Sequence, residues 1–263
     1  MSMRATLTVL GSGTSMGVPT IGCDCRVCTS KDAKDRRTRP SVMLEYGDAV
    51  VLIDSGPDFR EQALREKIRH VDAVLYTHGH ADHILGLDDL RPLSFRHEKA
   101  LPLYALDSTA TTIEHIFRYA FDAASTYATR PRVKMNRIAM DGAASLDLFG
   151  AEFIALPLLH GEEEVLGYRF GTAAYLTDFS DIPAASMEKL RGLDLLFLDA
   201  LRRRPHPTHS NLENSLRIVG ELKPKRAFFT HMSHDLMHEE TNATLPENVR
   251  LSYDGLKIEF AIA

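Results

Sequence analysis

The sequence predicts a single α/β domain, spanning residues 1–263, in which β-strands carry the functional side chains at their ends. Its length of 263 residues is typical of one large domain rather than two small ones. Short apolar runs with strand-like patterns recur along the chain, and helix-like stretches separate some of them. Several of these runs end directly in histidine or aspartate. Polar, ligand-type residues at the ends of buried strands indicate a site assembled along one edge of a sheet.

The bulk composition excludes several classes of protein. Hydrophobic residues make up 44% of the chain and charged residues 25%, which is typical of a soluble globular protein. The net charge of -5 and the pI of about 6.2 argue against a general nucleic-acid-binding surface. No apolar run approaches the ~20 residues that span a bilayer, so no membrane partner is expected. The first four residues lead into a strand-like run without the apolar core of a signal peptide, and the expected location is the cytoplasm.

The first half of the chain is predicted to contain four strands, a charged loop, a hairpin and two helices. The glycine-rich turn at 11–17 lacks the Gly-Lys-Ser/Thr ending of a phosphate-binding loop, and Lys31–Arg39 predicts a charged surface loop. Gly47-Asp48 is a strong hairpin signal between two apolar runs. The predicted strands are Arg4–Leu10, Val42–Tyr46, Ala49–Ile53 and Val71–Tyr76. The predicted helices are Asp58–Ile68 and Thr109–Phe121.

The second half repeats the pattern of strands that end in polar residues. The predicted strands are Glu152–Leu159, Val165–Phe170, Ala173–Leu176, Leu193–Leu198, Arg226–Thr230 and Gly255–Ile262. The residues that follow their ends include His160, Asp178, Asp199 and His231. We therefore expect these side chains to lie near one another at the same edge.

The densest group of candidate ligands is Thr77-His78-Gly79-His80-Ala81-Asp82-His83. It places three imidazoles and one carboxylate within six consecutive positions, with only glycine and alanine between them. These are the groups that divalent metals such as zinc and manganese accept. Because a buried strand precedes the group, it lies where α/β proteins usually place their chemistry. The sequence therefore predicts a metal-dependent hydrolase.

The gap-free match of residues 78–83 to H-x-H-x-D-H resembles the signature of the metallo-β-lactamase superfamily. The later histidine, aspartate and final histidine of that family match His160, Asp178 and His231, each after a strand. The resemblance extends from Asp54 to His231. It implies a four-layer αβ/βα sandwich, in which two mixed sheets lie face to face with helices outside.

The resemblance also implies a ligand set for two divalent ions, zinc or manganese. One ion would be held by His78, His80 and His160, and the other by Asp82, His83 and His231, with Asp178 bridging them. Asp54 would orient a ligand or a loop by hydrogen bonds. A bridging carboxylate and neutral imidazoles suit two ions about 3.5–4 Å apart, because they offset the repulsion between the ions.

Three cysteines, Cys23, Cys25 and Cys28, suggest a second kind of metal site. An odd, clustered set does not make a disulfide framework, and thiolate ligation of zinc is the better interpretation; the alternative is a chance surface cluster. The segment resembles the structural zinc site of the PhnP-type phosphodiesterases, in which a histidine three positions after the last active-site ligand completes the set. Here that residue is His234.

Residues 84–93 are similar to the same group, but we interpret Asp88, Asp89 and Arg91 as a solvated helix start rather than as catalytic residues.

Thr208-His209-Ser210-Asn211 supplies the predicted proton donor. Its position resembles that of the catalytic histidine, not bound to metal, in PhnP-type enzymes and in tRNA 3′-processing nucleases. Such a residue protonates a leaving alkoxide, which phosphodiester cleavage requires. His206 is a competitor, held in a separate extended stretch by Pro205 and Pro207. The run Arg202–Arg204 just upstream is either a phosphate-binding segment or a solvated basic loop.

These features predict a metal-dependent phosphodiesterase that acts on a small or cyclic substrate, of the cyclic ribose phosphate or 2′,3′-cyclic nucleotide type. Metal-bound hydroxide would attack phosphorus, and His209 and Asp82 are the predicted catalytic residues. The expected partner is the small substrate, and a homodimer is left open. The alternatives are a tRNA 3′-processing nuclease, disfavoured by the acidic charge and the lack of a basic RNA-gripping arm, and a non-hydrolytic PqqB-like protein, disfavoured by the intact histidine cluster.

Overall fold

A computed structural model describes residues 3–122 and 124–262 and contains fourteen strands and eight α-helices in those ranges. The strands are β1 (Arg4–Gly11), β2 (Ser41–Tyr46), β3 (Ala49–Ile53), β4 (Ala73–Leu75), β5 (Leu101–Leu106), β6 (Val133–Ile138), β7 (Ala144–Leu148), β8 (Ala151–His160), β9 (Glu163–Phe170), β10 (Ala173–Leu176), β11 (Leu195–Asp199), β12 (Arg226–Thr230), β13 (Val249–Leu251) and β14 (Lys257–Ala261).

The helices are short and lie mostly in the connections between parallel strands. They are α1 (Phe59–Arg65), α2 (Ala81–Ile84), α3 (Arg91–Ser94), α4 (Asp107–Ile116), α5 (Arg118–Phe121), α6 (Ala184–Lys189), α7 (Leu212–Leu222) and α8 (His238–Asn242). Two one-turn 3₁₀ helices cover Ala33–Asp35 and Leu87–Leu90. None of the helices in the described ranges has the length and apolar character needed to cross a membrane.

The strands form two seven-stranded mixed sheets with the same internal pattern. The first has the order β14-β1-β2-β3-β4-β5-β6 and the second β13-β12-β11-β10-β9-β8-β7. Each sheet has an antiparallel half and a parallel half of three pairings each, and the parallel pairings are β3-β4-β5-β6 in the first sheet and β13-β12-β11-β10 in the second. The parallel halves place the carboxyl ends of neighbouring strands together, which is the arrangement that the polar strand ends predict.

The two sheets pack against each other through one apolar layer, and helices cover their outer faces. Leu7 and Val51 of the first sheet share that layer with Phe153 and Phe197 of the second, and all four are fully buried. Outside the first sheet, apolar residues of α1 and α4 complete a second core; outside the second sheet, those of α7 complete a third. The predicted four-layer αβ/βα sandwich is therefore confirmed.

The structure also corrects details of the sequence prediction. The predicted helix at Thr109–Phe121 begins earlier and is divided into α4 and α5 at Phe117. The prediction that Lys31–Arg39 is a surface loop was wrong in part, because Asp35 and Arg37 are buried against each other. Strands β5, β6, β7 and β13 and helices α2 and α6 to α8 were not predicted.

Candidate metal centre and active site

The candidate site lies where strands of both sheets end. Asp54 follows β3, Asp178 follows β10 and His231 follows β12, and their φ angles are +65°, +53° and +56°. This left-handed conformation is unfavourable for residues with a side chain, and it is found mostly where the surrounding structure holds a functional group in place. The residues that follow three separate strands therefore share one unusual backbone conformation, and their side chains meet in one cluster.

The first ligand group consists of His78, His80 and His160. The Nε2 atom of His78 lies 3.0 Å from Nδ1 of His80, close to the ~3.3 Å that separates two nitrogen ligands of a tetrahedral zinc ion. Nδ1 of His160 donates to the Thr208 carbonyl at 2.8 Å, which leaves its Nε2 lone pair free. Burial lowers the pKa of His78 and of His160, so both rings favour the neutral form that binds metals.

The second ligand group consists of Asp82, His83, Asp178 and His231, and all four are buried. The two carboxylate oxygens of Asp178 face different imidazoles: Oδ1 lies 3.1 Å from His231 Nε2, and Oδ2 lies 3.2 Å from His83 Nε2. Oδ2 of Asp82 lies 3.2 Å from the same His83 atom. The rings of His78 and His83 are 4.1 Å apart, so the two groups adjoin.

Three atoms at the centre of this group test whether it fits a metal ion. Asp82 Oδ2, His83 Nε2 and His231 Nε2 are buried, and the described residues offer them no hydrogen-bond partner of good geometry. Burial disfavours the imidazolium form, yet Asp178 and the neighbouring carboxylates raise the pKa of His231 to about 10 and the pKa of His83 well above its usual value. The buried carboxylates thus require positive charge beside them. Divalent cations suit this donor set, and they would displace the protons.

Asp54 orients this second group from behind. Its Oδ2 accepts a hydrogen bond from His83 Nδ1 at 2.7 Å, which fixes the ring so that Nε2 faces the other ligands. The backbone and hydroxyl of Thr77 also donate to Asp54, each at 2.8 Å. These contacts are those that the orienting role predicted for Asp54 requires.

His209 lies beside the ligand groups, in contact with both. Its ring stacks on His231 at 4.8 Å and meets His160 edge-on at 4.6 Å. Nδ1 of His209 lies 3.1 Å from Oδ2 of Asp199, whose other oxygen is 3.7 Å from His231 Nδ1. Asp199 is therefore a carboxylate shared by a candidate metal ligand and the candidate proton donor. Sequence reasoning noted it only as a strand end.

The three cysteines converge on His234 as the sequence resemblance predicts. Their Sγ atoms lie 3.3, 3.6 and 3.4 Å from Nδ1 of that histidine, for Cys23, Cys25 and Cys28 in turn. A tetrahedral zinc ion places sulfur and nitrogen ligands ~3.6 Å apart, so the set fits zinc. Burial raises the pKa of the Cys28 thiol to about 11, so a bound cation is needed to hold it as a thiolate at neutral pH.

Comparison with known proteins places the chain in a family. The family model for the β-lactamase superfamily domain matches residues 50–232. The chain belongs to the metallo-β-lactamase superfamily. A crystal structure described as a new diphosphatase from the PhnP family is 61% identical, with a TM-score of 0.93, and the match covers all of this chain and 99% of that one. This protein therefore has the metallo-β-lactamase fold and is similar over its whole length to that diphosphatase.

Two other relatives are informative for different reasons. A protein of Porphyromonas gingivalis named octanoyltransferase is 39% identical over 253 residues, covering 95% of this chain. The chain spans only 50% of that protein's length, and the name describes the longer protein. The zinc-bound structure of PqqB from Methylobacterium extorquens has a TM-score of 0.79 over 96% of this chain and 99% of that one, but 18% identity, so it supports the fold alone.

A buried ion pair anchors the segment that follows the three cysteines to the loop that carries His234. The guanidinium of Arg37 lies 3.1 Å from Oδ1 of Asp35 and donates to the carbonyls of Ser233 and Leu236, at 2.8 and 2.5 Å. Those carbonyls flank His234. Sequence reasoning missed this role, because Arg37 stands in a run of charges that resembles a solvated loop.

Replacing Arg37 by methionine is expected to lower the free energy of unfolding by about 3–5 kcal/mol, because it leaves the Asp35 carboxylate buried without its partner. Chemical denaturation of the metal-loaded protein measures the change. Arg36→Met is the matched control, because its side chain is exposed one position away. Equal stability of the two variants would contradict a structural role for the pair.

Two other charged segments are held by local contacts. Arg91 donates to the hydroxyl of Tyr127 at 3.0 Å and lies 3.7 Å from Asp88, which also accepts from Tyr119. These contacts agree with the interpretation of Asp88 and Arg91 as a local network at a helix start. In the basic run, Arg202 donates to the carbonyls of Arg204 and Pro205. Its guanidinium is therefore engaged by its own loop.

Metal analysis of the wild type beside Cys25→Ala tests the cysteine site. We expect about three metal ions per chain in the wild type and about two in the variant, since the variant loses one of four zinc ligands. Elemental analysis after dialysis gives the numbers, and the fold is checked by circular dichroism. Two ions in both proteins would refute the structural zinc site, and one ion or none in the wild type would refute the dinuclear site.

Proposed function

We propose that this protein hydrolyses a small phosphodiester in a metal-dependent reaction, with His209 as general acid. The observation that carries the proposal is the position of His209, which stacks on His231, is oriented by Asp199 and belongs to neither the group of His78 nor the group of His83. His209 does form a third cluster of possible ligands with Asp199 and His231, and metal content in the His209→Ala variant tests whether that cluster holds an ion. Hydrolysis of a β-lactam or a thioester does not have the same need for a separate proton donor to an alkoxide. The similarity to a diphosphatase supports phosphorus as the reacting centre.

The ligand groups described above would hold two divalent ions, with His78, His80 and His160 on one side and Asp82, His83 and His231 on the other. Asp178 would lie between them. Bound there, the ions supply activation of water and neutralisation of charge on the phosphoryl oxygens. Zinc and manganese both suit this mixed donor set.

The protein's own residues perform the remaining steps. Water releases one proton to solvent as its oxygen bonds to phosphorus, the bond from phosphorus to the leaving oxygen breaks, and His209 gives that oxygen a proton, which the ring then regains from solvent. Asp199 accepts from Nδ1 of His209, so Nε2 is the nitrogen left to exchange a proton with substrate. The Thr208 carbonyl, held by His160, fixes the chain immediately before His209.

The proposed substrates are cyclic ribose phosphates or 2′,3′-cyclic nucleotides. The similarity to a protein described as a diphosphatase favours a second class of substrate, the diphosphates. In a substituted diphosphate, as in a phosphodiester, the attacked phosphorus forms two ester or anhydride bonds.

Purified protein, stripped of metal and reloaded with zinc or manganese, should hydrolyse bis(p-nitrophenyl) phosphate. It should act poorly on p-nitrophenyl phosphate and on precursor tRNA. Inactivity towards the diester with every divalent metal would contradict the proposal, and cleavage of the tRNA would favour a nuclease.

A further inference from the structure

A cavity of about 850 Å³ opens beside His78 and His80, and the proposed reaction at phosphorus does not by itself account for the size of this cavity. Besides the H-x-H turn, its walls come from the end of β5 and the start of α4, the end of β6 with the residues after it, and the start of β9. The volume lies in the upper part of the range of about 300–1,000 Å³ typical of small-molecule sites. It exceeds what a phosphate group alone needs, so a larger part of the substrate must lie there.

The inner walls of this cavity are apolar with hydroxyl groups among them. Leu106 and Ile138 are largely buried, and the flexible thioether of Met140, which is half-buried, suits contact with a flat aromatic ring. Thr112 lies against Gly79, within 3.4 Å of the position that a Cβ would take there. The cavity therefore reaches the H-x-H turn itself and is continuous with the first ligand group.

The rim of the cavity is acidic. Glu163 and Glu164 are exposed, and a carboxylate oxygen of Glu163 lies 3.8 Å from His80 Nε2. A third acid, Asp107, is paired with Arg137 at 2.6 Å. Free carboxylates repel a second phosphate, but they accept hydrogen bonds from hydroxyl and amino groups. The walls and rim together suit an uncharged group with a flat ring and several donors, which describes a nucleoside.

The candidate proton donor His209 lies two imidazoles away from His80 along a row of four histidine rings. The ring centroids are 5.1 Å apart from His80 to His160, 4.6 Å from His160 to His209, and 5.0 Å from His209 to His206. The cavity borders His80, whereas the leaving oxygen must lie beside His209. The group in the cavity is therefore attached to the phosphorus but does not leave.

From this arrangement we propose that the cavity binds a nucleoside that remains on the attacked phosphorus, so that the product is a nucleoside monophosphate. The inference rests on the proposed function, because it uses His209 as the proton donor. The oxygen of water becomes part of the nucleotide product. The other esterified oxygen takes the proton from His209 and departs with its own group or, in a 2′,3′-cyclic nucleotide, stays on the same ribose as a hydroxyl.

Three diesters with the same p-nitrophenol leaving group test this inference: the adenosine 5′-, phenyl and methyl p-nitrophenyl phosphates. We expect kcat/KM for the adenosine ester to exceed that for the methyl ester by at least about 30-fold, as burial of on the order of 80 Å² of apolar surface would provide. The phenyl ester should lie between them. Equal values for the three, or a phenyl ester as good as the adenosine ester, would overturn the nucleoside site while leaving phosphodiester hydrolysis intact.

A pair of variants tests the location. Ala139 is an exposed residue of the cavity wall, and Ala139→Trp should reduce the ratio of adenosine to methyl kcat/KM about tenfold or more. Ala100→Trp, exposed at the other end of β5, should leave that ratio at the wild-type value. An unchanged ratio in Ala139→Trp would overturn this cavity as the site. If none of the three esters is hydrolysed, the proposed function fails and the inference falls with it.

Discussion

Replacing His209 by alanine is expected to slow hydrolysis of a 2′,3′-cyclic nucleotide by about 10²–10⁴-fold, the usual contribution of a general acid. The leaving group of that substrate is an alkoxide, which needs a proton as the bond breaks. p-Nitrophenolate departs without one, so bis(p-nitrophenyl) phosphate should be affected far less. The measurement is kcat for both substrates in both proteins, and the diagnostic quantity is the ratio between them.

The reason for this expectation is the position of His209 between the ligand groups and a fixed carboxylate. Its Nδ1 is held by Asp199, and its ring contacts His231 and His160 without belonging to either ligand group predicted for the two metals. The variant should accordingly keep its metal content. His115→Ala is the matched control, because His115 is exposed on α4 outside the cavity lining. Equal loss with both substrates would exclude His209 as proton donor, and a leaving-group effect in His206→Ala would transfer the role to that residue.

The ligand groups could be predicted because their members follow recognisable strands, and because His78 to His83 also form a short motif. His78 to His83 occupy six consecutive positions, so their spacing is fixed by the chain itself. His160, Asp178 and His231 follow strands of the second sheet; the pattern of polar strand ends predicted that they lie near one another, and the family resemblance implied their roles as ligands. The left-handed backbone of Asp54, Asp178 and His231, in contrast, has no signal in residue type, since aspartate and histidine are compatible with ordinary strand ends.

The buried pair of Asp35 and Arg37 could not be predicted from its neighbourhood. Both residues lie in a run of alternating charges, which is typical of a solvated loop. Their burial depends on the carbonyls of Ser233 and Leu236, which are about 200 positions away in the chain. A guanidinium is stable in the protein interior only where carbonyls and a carboxylate surround it. Nothing in the sequence around Arg37 indicates that these carbonyls are near.

The cavity beside His80 and the role of Asp199 were also not predicted from the sequence, for two different reasons. Leu106, Ile138 and Met140 have the residue types of ordinary core positions, so their place in a binding wall is a consequence of how β5, β6 and α4 meet. Asp199 did carry a signal, because it ends an apolar strand as Asp178 does. Treating every acidic strand end at the predicted edge as a site residue would have included it.

The second large effect is expected from Asp178→Asn, which keeps the shape of the side chain and removes its charge. Asp178 contacts both His83 and His231, and these ion pairs hold the pKa of its carboxyl well below the usual value although burial acts in the opposite direction. The amide offers one neutral oxygen where two charged ones stood. Two adjacent cations would then lack the charge that offsets their repulsion, so we expect loss of at least one ion per chain.

The activity of Asp178→Asn should fall by about 10³-fold or more, because metals contribute several kcal/mol of transition-state stabilisation. Metal content, measured by elemental analysis, should fall in parallel, whereas the Cys₃His site should keep its zinc. Asp147→Asn, an exposed aspartate in β7, is the matched control. Since both variants lose one negative charge, a difference between them reports position rather than net charge. Full metal content and full activity in Asp178→Asn would show that the carboxylate does not lie between two ions, and a single-metal mechanism built on the first histidine group would then have to replace the dinuclear one.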